Sequence, residues 1–260
     1  MINIEKAKKA IKEYTNEYDI NNGGIALKVN HIERVAKRAR ELAKELMLDQ
    51  ENIELAELIG LLHDIGRFEQ IKKYNTFNDS KSINHGELGV EILFKDGLIY
   101  KIIEDRKYDK IIKKAILNHN RSPKKIDKDL NKEELLHTKI IRDADKTDIY
   151  YIFLIDSKNA GHDKEKLYKD KITDVIYEEV TNFKKITYKN IETLLDGVIA
   201  HMVYMYDINF DKTFTYILEK DYFKKIFGSI EIEDKETKEK YQKIYNDVLE
   251  HINLNKGRKN

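Results

Sequence analysis

The stretch Ile53-Glu54-Leu55-Ala56-Glu57-Leu58-Ile59-Gly60-Leu61-Leu62-His63-Asp64-Ile65-Gly66 decides how this chain is read. Ile53, Leu55, Ala56, Leu58, Ile59, Leu61 and Leu62 leave no wide polar face. A helix here is apolar on nearly every side and belongs at the centre of a bundle. His63 and Asp64 stand at its C-terminal end, just before Gly66. Burying an imidazole or a carboxylate without a partner is costly, so this end of the helix needs compensating charge or hydrogen bonds, and a metal ion supplies that compensation.

Working outward, apolar residues recur at helical rather than alternating spacing almost throughout, and one proline and 11 glycines in 260 residues leave few obligatory breaks. The chain reads as all-α. Residues 3–19 form a lysine-rich amphipathic segment that stops at Asn21-Asn22-Gly23-Gly24, a run favouring left-handed backbone and a turn. The next helix is expected from about Ala26, with Ile32, Val35, Ala39, Leu42, Ala43 and Leu46 as its buried stripe and His31 at the stripe's edge. Residues 67–84, rich in Asn, Asp and Ser, read mostly as a loop overhanging His63.

Helices follow at 86–95, 98–104 and 108–119, then a polar connection around Pro123. The next helix begins near Lys132 and carries Arg142-Asp143-Ala144-Asp145-Lys146 in its interior. Amphipathic stretches at 165–182, 188–206, 212–226 and 235–253 complete the chain, and the tail 256–260 is expected to fray. No internal repeat or low-complexity linker appears. The expectation is one continuous helical domain over 1–260, with a site-bearing part at about 25–155 and a helical extension at about 160–255 packed on it.

Composition narrows the function. Lys and Arg number 48 against 47 Asp and Glu, giving a formal net charge of +1, so bulk binding to nucleic acid is not expected. The 16 tyrosines interleave with lysines, as in Lys72-Lys73-Tyr74, but the near-zero charge argues against a base-stacking surface. Cysteine is absent, which excludes disulfides, thiolate metal sites and a cysteine nucleophile. The N-terminal residues lack the apolar core of a signal peptide and no membrane-length apolar run occurs, so a soluble, cytoplasmic protein is expected. Neither GxGxxG nor Walker A is present, so a bound nucleotide would be held through metal and cations.

His63 and Asp64 offer one imidazole and one carboxylate, His31 a second imidazole from the preceding helix, and Asp145 a second carboxylate from a later one. Such nitrogen and oxygen ligands suit Fe, Mn, Mg, Zn, Ni or Co. The order His31, His63-Asp64-Ile65-Gly66, Asn84-His85-Gly86-Glu87, Asn118-His119-Asn120 and Asp143-Ala144-Asp145-Lys146 resembles the HD-domain metal-dependent phosphohydrolase superfamily. Leu62-His63-Asp64-Ile65-Gly66 matches its HD-Ile-Gly signature, and the likeness covers roughly residues 25–155. Residues beyond about 160 match nothing.

The resemblance implies a helical bundle holding a divalent transition metal, Fe or Mn foremost, between its helices. His31, His63, Asp64 and Asp145 would bind the first ion. His85 and His119 match the histidines that members holding two ions add, with Asp64 as the bridging carboxylate. Asp145 is preferred because it precedes Lys, as in the family's motif, with Asp143 as the fallback.

It further implies hydrolysis of a phosphomonoester or phosphodiester of a small molecule, foremost a nucleotide. Asp64, Lys146 and Arg67 would be the catalytic residues, and Arg67, Lys146, His119 and Asp148 would contact substrate. Lys146 follows the proposed ligand directly, Arg67 stands three residues after Asp64, and Asp148 shares a helical face with Asp145. Glu87 could orient His85. His137, His162, His201 and His251 match no ligand position and read as packing residues. Two rivals keep the fold: a mixed-valent di-iron oxygenase cleaving a C–C or C–P bond, and a non-catalytic nucleotide-sensing module. The unassigned C-terminal third leaves room for a homodimer face.

Overall fold

The computed structural model describes residues 2–159, 164–228 and 230–257, the side chains of 155–159 and 164 excepted. The described residues are helical, with no strand among them. The chain divides into two compact units, Met1–Asp145 and Lys146–Asn260. No helix of the described residues is long and apolar enough to cross a membrane.

The first unit is built around α3 (Gln50–Leu62), whose residues from Ile53 to Leu62 are all buried. Its two internal carboxylates are satisfied: Glu57 pairs with Arg40 and with Lys8 at 3.1 Å, and Glu54 accepts from the Ile2 amide at 3.0 Å. Before it lie α1 (Ile4–Thr15) and α2 (Gly23–Glu45). A β-carbon on Gly60 would fall 2.5 Å from the Ala36 Cα, so glycine lets the α2 and α3 backbones touch. That approach brings His31 and His63 together.

Two expectations need correction in this unit. The run Asn21 to Gly24 does not delay α2 to Ala26. Asn22 caps the helix, its side chain accepting from the Gly24 and Ile25 amides, and both glycines lie outside the left-handed region. Nor is 67–84 mostly loop. The chain leaves helical geometry at Asp64 (φ −106°, ψ 15°) and re-enters it as α4 (Ile65–Tyr74), which buries Ile65, Phe68 and Ile71 and stops at left-handed Asn75. The loop is therefore 75–84, carrying a 3-10 turn at Asp79–Lys81.

Beyond it come α5 (His85–Val90), extended by a π-helical turn at Glu91–Lys95, then α6 (Ile99–Ile102) and α7 (Asp109–His119). The long α8 (Lys132–Asn159) begins where expected and carries Asp145 in its interior.

The second unit contains α9 (Lys164–Lys169), α10 (Asp174–Phe183), α11 (Leu194–Val203), α12 (Asp211–Glu219), α13 (Tyr222–Phe227) and α14 (Lys235–Asn255). Its core includes Tyr150, Ile176, Leu195, Ile199, Met202, Ile217, Phe223, Phe227, Ile244 and Val248. Three expected continuous stretches are broken. The 165–182 segment divides at 170–173, where Asp170 and Thr173 bond to the Leu195 amide and to Asp196. The 188–206 segment starts its α-helix only at Leu194, behind a Thr193–Asp196 capping box. The 212–226 segment divides at left-handed Asp221.

Candidate metal centre

Helix ends deliver most of the candidate ligands. His63 closes α3, Asp64 opens α4, His85 is the first residue of α5 and His119 the last of α7, while His31 and Asp145 project from the interiors of α2 and α8. All except Asp145, whose side chain is 18% exposed, are buried. The Asp64 carboxylate stands between two histidine pairs. Its Oδ2 lies 3.3 Å from His31 Nε2 and 3.6 Å from His63 Nε2. Its Oδ1 lies 3.3 Å from His85 Nε2 and 3.8 Å from His119 Nε2. Asp145 Oδ1 joins the first pair, 3.2 Å from His31 and 3.7 Å from His63.

Donor atoms about 2.1 Å from one shared ion stand about 3.0–3.4 Å apart; the Asp64–His31, Asp64–His85 and Asp145–His31 spacings fall within that range, and those to His63 and His119 lie a few tenths of an ångström beyond it. Asp64 belongs to both His31–His63–Asp64 and Asp64–His85–His119 groups, and His63, His119 and Asp145 form a third.

Proton placement gives an independent test of fit. His63 Nδ1 faces the Gly60 carbonyl at 2.7 Å, His119 Nδ1 the Ile116 carbonyl at 2.6 Å, and His85 Nδ1 the Asp79 carboxylate at 2.7 Å. Each acceptor requires an Nδ1–H, which leaves Nε2 of a neutral ring as a bare lone pair. Burial pushes His85 down to about 4 despite Asp79, and burial also lowers His119. Both rings are thus neutral at pH 7, yet their Nε2 atoms lie 2.9 Å apart.

Two lone pairs facing at that distance call for a cation between them. Burial raises the Asp64 carboxyl, but Lys28 and the histidines around it hold it well below the usual range. For Asp145, His31 and His63 beside it likewise outweigh burial and hold it well below the usual range. Two ionised carboxylates beside the neutral rings of His85 and His119 fit a divalent metal.

Other residues hold this arrangement in place. Arg142 on α8 is buried, and its Nη1 donates to the carbonyls of Asn118, His119 and Arg121 at 2.7, 3.0 and 2.6 Å. A guanidinium thus closes the negative end of α7, where His119 sits. Arg142→Leu would leave those carbonyls without their donor. Urea denaturation of the chelated protein is expected to show a loss of roughly 3 kcal/mol; an unchanged midpoint would remove Arg142 from this role.

Lys28 went unrecognised in the sequence. It lies one turn before His31, and its Nζ is 2.5 Å from Asp64 Oδ2. Asp79 was hidden in the segment read as loop. Arg67, placed on α4 rather than in that loop, gives Nη1 to Gln70 (2.7 Å), the Phe77 carbonyl (2.6 Å) and Asp79 (2.9 Å), with Nε 3.6 Å from Asp64 Oδ1.

Glu87 does not orient His85. It is exposed in the first turn of α5, and Asp79 holds the ring instead. Asp143 is fully buried but joins none of the ligand groups. Lys146 and Asp148 belong to the second unit, where Lys146 pairs with Asp207 at 3.0 Å.

Among the remaining histidines, His137 bonds Asn52 at 2.8 Å, His201 bonds the Gly197 carbonyl at 2.8 Å, and His251 packs on Tyr206 and Phe214. His162 and residues 258–260 lie outside the described residues. Burial pushes His137 down to about 4 from 6.5. The unfolded chain therefore takes up a proton that the folded one refuses between about pH 6.5 and 4, so this contribution is fully present above that window and is lost as pH falls through it. His137→Gln keeps a partner for Asn52 without the titration. Its loss of stability from pH 7 to 4 is expected to be smaller than the wild type's by roughly 3 kcal/mol; identical profiles would contradict this assignment.

The helix ends and faces of this all-helical unit bring four histidines and two aspartates into groups that could hold a metal ion. Residues 29–150 match the family model described as HD domain, and this part of the chain belongs to the HD-domain superfamily. Members of that family are generally metal-dependent phosphohydrolases. No curated protein and no solved structure matches the chain.

Proposed function

We propose that this chain is a two-ion phosphohydrolase acting on a phosphomonoester or phosphodiester of a small molecule, a nucleotide foremost, in the cytoplasm. The observation that carries the reading is Asp64, whose two oxygens face different histidine pairs within one buried centre. His31, His63, Asp145 and Asp64 Oδ2 would hold one ion; His85, His119 and Asp64 Oδ1 the other. Divalent ions, with Fe or Mn foremost, would lower the pKa of a water from 15.7 to about 7 and neutralise charge on the phosphoryl oxygens.

The chain's own part is positioning. The Gly60 and Ile116 carbonyls and Asp79 keep three rings turned with Nε2 inward. Arg67 and Lys146 are the proposed cations for the substrate's anionic group, and His119 and Asp148 its further contacts.

The test is phosphate release from a panel of nucleotides, sugar phosphates and an aryl phosphodiester, using Mn-loaded protein with and without oxygen. Equal turnover in both is expected. A strict need for oxygen would favour oxidative C–C or C–P cleavage, and tight nucleotide binding without turnover would favour a sensing module.

A further inference from the structure

The three histidines with an assigned Nδ1 partner do not solve the same problem in the same way. His63 and His119 end their helices, so each finds a carbonyl three residues back in its own helix, Gly60 and Ile116. His85 begins α5 and has no preceding turn to supply one. Its Nδ1 instead meets the side chain of Asp79, 2.7 Å from Oδ2 and 2.9 Å from Oδ1.

That carboxylate is itself clamped from two other elements: Arg67 and Gln70 on α4 each donate to Oδ1 at 2.9 Å, and Asn120, just past α7, donates to Oδ2 at 3.2 Å. Gln70 is fully buried and also donates to Ser82 and the Ile83 carbonyl, tying down the loop just past Asp79's turn.

We propose that Asp79 is the positioning residue for the second ion, setting the ring orientation and donor strength of His85 while leaving the His31–His63–Asp145 side untouched. A carboxylate behind an imidazole fixes its tautomer and makes its far nitrogen a stronger ligand than a carbonyl does, and losing such a partner typically weakens metal binding 10–100-fold. Only His85 has this carboxylate partner among the three rings. The 75–84 loop thus controls whether the centre holds one ion or two. This inference rests on the two-ion reading above.

The test is calorimetric and absorbance titration of Co(II) into the chelated full-length protein, comparing wild type with Asp79→Asn and Asp79→Ala. The amide keeps a neutral acceptor in nearly the same shape, whereas alanine removes it. The expected result is a second ion weakened by about 10–100-fold, more in Asp79→Ala than in Asp79→Asn, with first-ion affinity unchanged. The chelated Asp79→Asn protein should melt close to the wild type and Asp79→Ala lower, since alanine leaves the His85 Nδ1–H without its acceptor. Equal weakening of both ions, or of neither, would overturn the proposal. A wild type that takes up a single ion would instead overturn the two-ion reading itself.

Discussion

Asp64→Asn is expected to abolish turnover, by at least about a thousandfold, while leaving the helices intact. A thousandfold is about 4 kcal/mol of transition-state stabilisation, within what a bound metal supplies. The substitution keeps size and shape but removes the charge that opposes Lys28 and faces all four histidines. One amide oxygen cannot serve both sides of the centre as two carboxylate oxygens can. Circular dichroism should show unchanged helix content, since Asp64 makes no side-chain capping bond at the start of α4. Lys28 loses its ion partner, but its side chain is 14% exposed and can turn toward water. Retention of a tenth or more of wild-type phosphate release would place the chemistry elsewhere.

Gly66→Val is expected to be the most damaging substitution for the fold. A β-carbon at Gly66 would lie 2.3 Å from the His85 carbonyl oxygen and 2.7 Å from the Gly89 amide nitrogen, both backbone atoms that cannot swing aside. Accommodation requires α4 to move away from α5, which separates Asp64 from His85. Overpacking of this kind costs typically 1–3 kcal/mol, and a valine against two backbone atoms should cost more, on the order of 4 kcal/mol. Gly66→Ala should show the same defect in milder form. Thermal melts of the chelated proteins should order wild type above Gly66→Ala above Gly66→Val; a valine variant melting with the wild type would mean that the two helices do not need this contact.

The glycine of the HD-Ile-Gly run therefore has a mechanical reason: it allows the close crossing that joins the two halves of the centre. In the sequence that glycine is only a break in hydrophobicity, because the residues it must clear lie beyond the following loop.

The buried helix α3 was legible because its apolar residues occupy every face, and His63 and Asp64 stood out as polar groups at its end. His31, His85, His119 and Asp145 were legible through motif order; the distances among their ligand atoms required the fold. Helix α4 was obscured by the Asn, Asp and Ser residues of 75–84, although Ile65, Phe68 and Ile71 marked its buried side. The glycines at 23 and 24 were read as a turn because their flexibility is visible in sequence, whereas the Asn22 cap that draws them into α2 is a competing local interaction.

Lys28 and Asp79 carried almost no signal. A lysine on an amphipathic helix reads as solvent-facing, and only Asp64, far along the chain, gives it another role. Asp79 in a polar stretch reads as a turn former until His85, Arg67, Gln70 and Asn120 converge on it.

The most direct test of the two-ion account is metal content per chain, measured by mass spectrometry on untagged protein purified without chelator, beside Asp64→Asn. About two Fe or Mn per wild-type chain, lost in the variant, is the predicted result, because one carboxylate serves both histidine pairs. Wild-type protein holding no metal, and taking none up when Mn, Fe, Co, Ni or Zn is added, would contradict it.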